Sequence, residues 1–165
     1  MYFCRLEQPT DLTAICVVHT GAFPTAAEAR LVDALRGAGR LAVSIVAADA
    51  AGIVGHVTFS PVTAGGSEGL GLGPLAVQAE HRRRGVGAML VREGLASCSQ
   101  AGRGFVVVLG APAYYGRFGF ARASDRGLVN DYGVDDEFMV LELRSGALPA
   151  DGALVRYAPE FALVG

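Results

Sequence analysis

Apolar residues recur along this chain at helical and at strand spacing, and the switches between the two predict an order of elements. Tyr2 to Glu7 reads as a short strand, stopped by Pro9, Thr10 and Asp11, which also offer a helix cap. Leu12, Ile15, Cys16 and His19 then fall at helical spacing. Thr25 followed by Glu28 has the form of a capping box, and Leu31 and Leu35 continue one apolar face until Gly37 and Gly39. Leu41 to Ala48 and Ile53 to Phe59 are β-branched and apolar, and the short connection from Asp49 to Gly52 predicts a hairpin. Leu70 to Val77 is the next strand. The glycine-rich run from Ala64 to Gly73 has few side chains to fix one conformation, so a mobile loop is expected there.

At Val86 the pattern turns helical: Val86, Leu90, Gly94 and Cys98 stack, with Val91 and Leu95 beside them and Arg92, Ser99 and Gln100 opposite. Gly102 and Gly104 close that helix. Phe105 to Leu109 is apolar at every position and reads as a central strand buried on both faces. The strand, helix, strand unit implies a parallel crossover, which puts the glycine corner before Val86 at the sheet's C-terminal edge. A short segment from Pro112 to Phe118 precedes strands expected at Phe120 to Ala123 and Phe138 to Leu143.

Composition narrows the setting. With 165 residues, 52% of them hydrophobic, the chain is expected to form one domain, residues 1–165. A formal net charge of −2 gives no reason to expect a nucleic-acid partner. No window approaches the roughly 18 apolar residues of a membrane span, so no membrane partner is expected either. Cys4, Cys16 and Cys98 are odd in number with no paired spacing; Cys16 and Cys98 are expected as buried thiols in a cytoplasmic protein. No metal site is implied.

The chemistry concentrates in HRRRGVGAML, His81 to Leu90. A helix start leaves about four backbone N–H groups unpaired and carries roughly half a positive charge, which suits a phosphate. Gly85 and Gly87 let the backbone approach an anion closely, and Arg82, Arg83 and Arg84 add charge. A Walker-type nucleotide site is excluded because all 14 basic residues are arginine, leaving no lysine for it. A Rossmann site fits poorly, since the third glycine is missing.

The stretches LGPLAVQAEHRRRGVGAMLVREGL and LGAPAYYGRFGF resemble the GCN5-related N-acetyltransferases (GNAT), and within them the YhbS-like branch of small bacterial members. The match places the family's pyrophosphate loop on Arg82, Gly85 and Gly87, and its tyrosine before a Gly-Phe pair on Tyr115, Gly119 and Phe120. The resemblance implies an α/β fold with a mixed sheet of about six or seven strands flanked by about four helices. It implies transfer of an acetyl group from acetyl-CoA to a primary amine of an unidentified small molecule or protein by direct attack on the thioester, with no metal, by a monomer or a homodimer. A non-catalytic module that only binds acyl-CoA is the alternative.

By the same resemblance, the backbone of Arg82, Arg83, Arg84, Gly85, Val86, Gly87 and Ala88 would hold the pyrophosphate. Leu75, Ala76 and Val77 would pair with the pantetheine arm as a strand edge does. The Leu75 N–H would face the thioester oxygen. Tyr115 is the candidate acid for the departing thiolate, its other reading being an aromatic packed over the sheet, and Tyr115 and Phe118 are also expected to contact the cofactor. No residue stands out as the base; His56 and Glu68 are the weak candidates, and each also reads as structural or solvated. The segment from Ser145 to Gly165 could extend the sheet or meet a second subunit.

Overall fold

Gly94 explains how the main helix meets the sheet: a Cβ there would collide with the ring of Phe59, so its absence lets the helix lie close. The computed structural model describes residues 1–165. Its strands are β1 (Phe3–Leu6), β2 (Val43–Asp49), β3 (Gly52–Ala64), β4 (Ser67–Val77), β5 (Phe105–Leu109), β6 (Ala121–Arg122), β7 (Leu128–Val129), β8 (Phe138–Glu142) and β9 (Ala153–Arg156). Its helices are α1 (Leu12–Ala22), α2 (Ala27–Gly37), α3 (Val86–Gln100) and the single turn α4 (Pro112–Gly116). The sheet runs β1-β2-β3-β4-β5-β8-β6, and β9 pairs with the end of β3 and with β7. Only β4–β5 and β7–β9 are parallel. The mixed α/β architecture and the four helices agree with expectation; the two strands beyond the expected seven are β7 and β9.

On one face of the sheet Val86, Leu90, Val91, Leu95 and Cys98 of α3 pack with Val57, Phe59, Leu72 and Val106. On the opposite face Phe105, Val107, Phe138, Val140 and Val155 form a second apolar cluster, since successive strand residues point to opposite sides. The buried stripe of α1 is Ile15, Val18 and His19, so Cys16 is exposed rather than buried as its spacing suggested. That stripe follows the i, i+3, i+4 rule, which leaves Leu12, Cys16 and Thr20 on the solvent side.

The largest departure lies in the glycine-rich run. It is a hairpin of two long strands, not a loop: Ala64 pairs with Ser67 and Pro61 with Leu70. The glycines make room for aromatic rings from elsewhere. A Cβ on Gly69 would stand 2.5 Å from Phe105, and one on Gly71 would stand 2.7 Å from Tyr157. The C-terminal segment extends the sheet through β9, and Ala158 and Phe161 beyond it pack on Leu31 and Leu35 of α2.

Candidate active site

A bulge opens the sheet. The β3–β4 register passes from Val57↔Leu75 to Phe59↔Leu72, so Gly73 and Pro74 both stand opposite Thr58, whose hydroxyl donates to the Gly73 carbonyl at 2.6 Å. Beyond it β4 and β5 part, for their pairing covers only Leu70 to Leu72 of β4. The Gln78 N–H donates to the Val54 carbonyl at 2.8 Å, and polar groups alternate sides along a strand. Ala76 therefore turns its amide toward His56 of β3, whereas Leu75 and Val77 turn theirs into the gap. Of the three backbone positions expected to bind a ligand, Leu75 and Val77 lie on the free edge and Ala76 forms wall.

The loop after β4 closes one end of this gap. Arg83 and Gly85 have left-handed backbones, φ 62° and 82°, which glycine accepts without strain and arginine does not. The first backbone bond of α3 runs from the Met89 N–H to the Gly85 carbonyl, leaving the Val86, Gly87 and Ala88 N–H groups without a backbone partner. Those donors, with the residues Leu75 to Val77, line a cavity of about 460 Å³. Arg82 and Arg83 also line it, but the Arg82 Nε donates to the Val77 carbonyl at 3.0 Å, so that side chain braces the loop against β4. Arg84 and Phe118 do not line it; Phe118 packs with Tyr114, beneath the guanidinium groups of Arg92 and Arg117. Tyr114, by contrast, reaches the loop, its hydroxyl standing 2.9 Å from where a Gly87 Cβ would be.

A second cavity, of about 450 Å³, shares Phe23 and Leu75 with the first and includes Tyr115 in its wall. The Tyr115 ring rests on Gly110, where a Cβ would overlap it, and packs edge-on against Tyr114 and Phe120. Burial, and next the nearby Tyr114, push its phenol up to about 12. The far wall comes from residues whose role the sequence did not signal: Tyr132, Tyr157 and Phe161. Glu28 lines it too. Thr25 Oγ1 accepts the Ala27 N–H at 3.2 Å, but α2 carries no reciprocal capping box, and the Glu28 carboxylate is left without a hydrogen bond or ion pair.

The two weak base candidates lie elsewhere. Glu68 is exposed in the β3–β4 hairpin opposite Thr63. His56 is fully buried in a polar line that does not reach either cavity. Its Nε2 lies 2.8 Å from Ser44 Oγ, and its Nδ1 lies 2.8 Å from the Nε2 of buried His19. The Ser44 hydroxyl donates to Glu7, which also receives two bonds from Arg36. Ser44 must then accept from His56 Nε2, a neutral His56 must accept at Nδ1, and a neutral His19 is left with a bare, unpartnered Nδ1. Burial, reinforced by the neighbouring His56 and the Arg36 charge, lowers His19 to about 3. Burial alone would raise the Glu7 carboxyl; His56, Arg36 and Ser44 outweigh it and hold it far below the usual carboxylate range.

Known proteins share this architecture. The model of the acetyltransferase (GNAT) domain matches residues 40–122. The uncharacterized N-acetyltransferase YhbS of Escherichia coli K12 is 39% identical over 161 residues, which span 95% of this chain and 96% of that protein. The crystal structure of Escherichia coli YhbS in complex with CoA is similar at a TM-score of 0.93 and 38% identity, over 99% of this chain and 93% of that one. A GNAT family acetyltransferase from Brucella melitensis, solved with acetyl-CoA, gives a TM-score of 0.82 and 34% identity over 98% of each chain.

Proposed function

The chain belongs to the GNAT family of acetyltransferases, and from that footing we propose that the gap beside Leu75 and Val77 holds acetyl-CoA while the adjoining aromatic cavity holds a primary amine. The observation that carries this reading is the meeting of the two cavities at Leu75 and Phe23, with Tyr115 in the wall. Relatives solved with CoA and acetyl-CoA support the donor. Relatives named N-acetyltransferases favour catalysis over a module that only binds.

Acetyl-CoA supplies an acetyl thioester open to attack by a neutral amine. The backbone of Arg82 to Ala88 offers its unpaired N–H groups to the pyrophosphate, and the Leu75 carbonyl and the Val77 N–H pair with the pantetheine amides as a neighbouring strand would. The Leu75 N–H is the donor for the thioester oxygen; a pre-aimed donor of this kind is commonly worth about 3 kcal/mol of barrier. Tyr115 stays protonated at every working pH and donates its hydrogen bond to the departing sulfur. The reaction conserves protons: the amine nitrogen gives one up and the thiol leaves with one. In this reading residues 1–165 act as one catalytic unit, and three unpaired cysteines suit a cytoplasmic setting.

The test is release of free thiol from acetyl-CoA over a panel of primary amines, with acetyl-CoA affinity measured separately by calorimetry. Saturable, protein-dependent release with at least one amine is expected. Tight binding of acetyl-CoA with background release for every amine would return the binding-only module.

A further inference from the structure

Resting on the acetyl-transfer reading, we propose that the acceptor is a small monoamine: a single primary ammonium on an apolar, ring-sized body, without a carboxylate. Ten of the fourteen residues around the second cavity are hydrophobic. The ring of Tyr157 stands 6.0 Å from Tyr132 and 5.0 Å from Phe161, centroid to centroid, forming an aromatic wall. Such a wall matches a flat apolar body and also attracts a cation to its faces.

Charge sets the rest of the class. Glu28 is the only charged side chain on this cavity, and nothing in the protein neutralises it. A carboxylate half-covered by apolar surface gains from an incoming cation, which identifies the ammonium of the acceptor as its partner. No arginine or histidine lines the cavity, so a free amino acid would bury its carboxylate there with no counter-charge. A polyamine meets the converse problem, since Glu28 is the only acidic side chain there and its further ammonium groups would sit against apolar walls. Glu28 is thus a specificity-determining residue: it draws the ammonium into the cavity that Leu75 and Tyr115 also line, and the amine gives its extra proton to water before it attacks.

The experiment compares 2-phenylethylamine, phenylalanine and spermidine as acceptors by thiol release, in the wild type, Glu28→Gln and Glu28→Asp. The expected result is a kcat/KM for 2-phenylethylamine at least tenfold above the other two. Glu28→Gln should raise its KM about tenfold with kcat little changed, Glu28→Asp should recover part of that loss, and acetyl-CoA affinity should stay the same in all three. Equal or better turnover of phenylalanine or spermidine, an unchanged KM in Glu28→Gln, or no turnover of 2-phenylethylamine would overturn the proposal. Failure of acetyl-CoA to bind the wild type would instead overturn the acetyl-transfer reading, and this proposal with it.

Discussion

Tyr115 owes its high pKa and its fixed ring to the same neighbours: burial raises the phenol, and Gly110 leaves the space the ring occupies. Tyr115→Phe should leave acetyl-CoA affinity nearly intact and lower kcat by about tenfold to a hundredfold, as loss of a positioned acid does. Calorimetry and thiol release together check this, and full activity would remove Tyr115 from the chemistry. With the phenol near 12, ionisation of Tyr115 should cause no fall in rate below about pH 10. The rate should instead climb from pH 7 to 9, because an amine of pKa about 10.4 must lose a proton to attack. A bell peaking near neutrality would contradict that assignment. Tyr115 was legible from its spacing to Gly119 and Phe120. Glu28 was not, because T-x-x-E reads as a capping box whether or not the carboxylate turns back, and here Glu28 makes no capping bond and lines the cavity.

The elements divide by how local their causes are. The strand β5 and the helix α3 were legible because their own apolar residues bury them, and the loop at Gly85 because a helix start after a strand is a local pattern. The β3–β4 hairpin was hidden because its glycines answer to Phe105 and Tyr157, distant in sequence. Gly69→Ala should therefore destabilise the fold by about 1–3 kcal/mol through overpacking, measurable by urea unfolding. Unchanged stability would mean Phe105 yields at little cost. Gly85→Val acts differently. Its Cβ meets no protein atom, but φ of 82° strains a β-branched residue, and the loop that presents the α3 donors should shift. Acetyl-CoA affinity should fall at least tenfold while α3 stays folded by circular dichroism; unchanged affinity would exclude the loop as the pyrophosphate site.

Across the whole molecule, the buried line from His19 to Glu7 sets the response to acid. The native His19 is held at about 3 against an ordinary value near 6.5, so on acidification the unfolded chain takes up a proton that the native one refuses. Burial lowers His56 in the same direction. Glu7, depressed when folded, contributes stability above its ordinary value near 4.3 and loses it as pH falls further. Stability should thus decline from pH 7 to 5, by up to about 1.4 kcal/mol per pH unit from His19 with His56 acting in the same direction, and with a shallower slope in His19→Phe. A flat profile in urea titrations would contradict this. The line escaped the sequence because it joins Glu7, just past β1, to α1, β2 and β3, and the bounds of β9 escaped it because four residues pair at a sheet end with no alternation to mark them.

In the reading proposed above, the gap between β4 and β5, with the loop before α3, holds acetyl-CoA. The melting temperature in acetyl-CoA, ATP and NAD distinguishes that site from a general anion or nucleotide pocket. At a hundredfold excess over Kd, acetyl-CoA should stabilise by about 2.7 kcal/mol, a rise of roughly 5–10 °C for a chain of this size, while equal concentrations of ATP and NAD change little. Equal shifts for all three ligands, or none with acetyl-CoA, would contradict it.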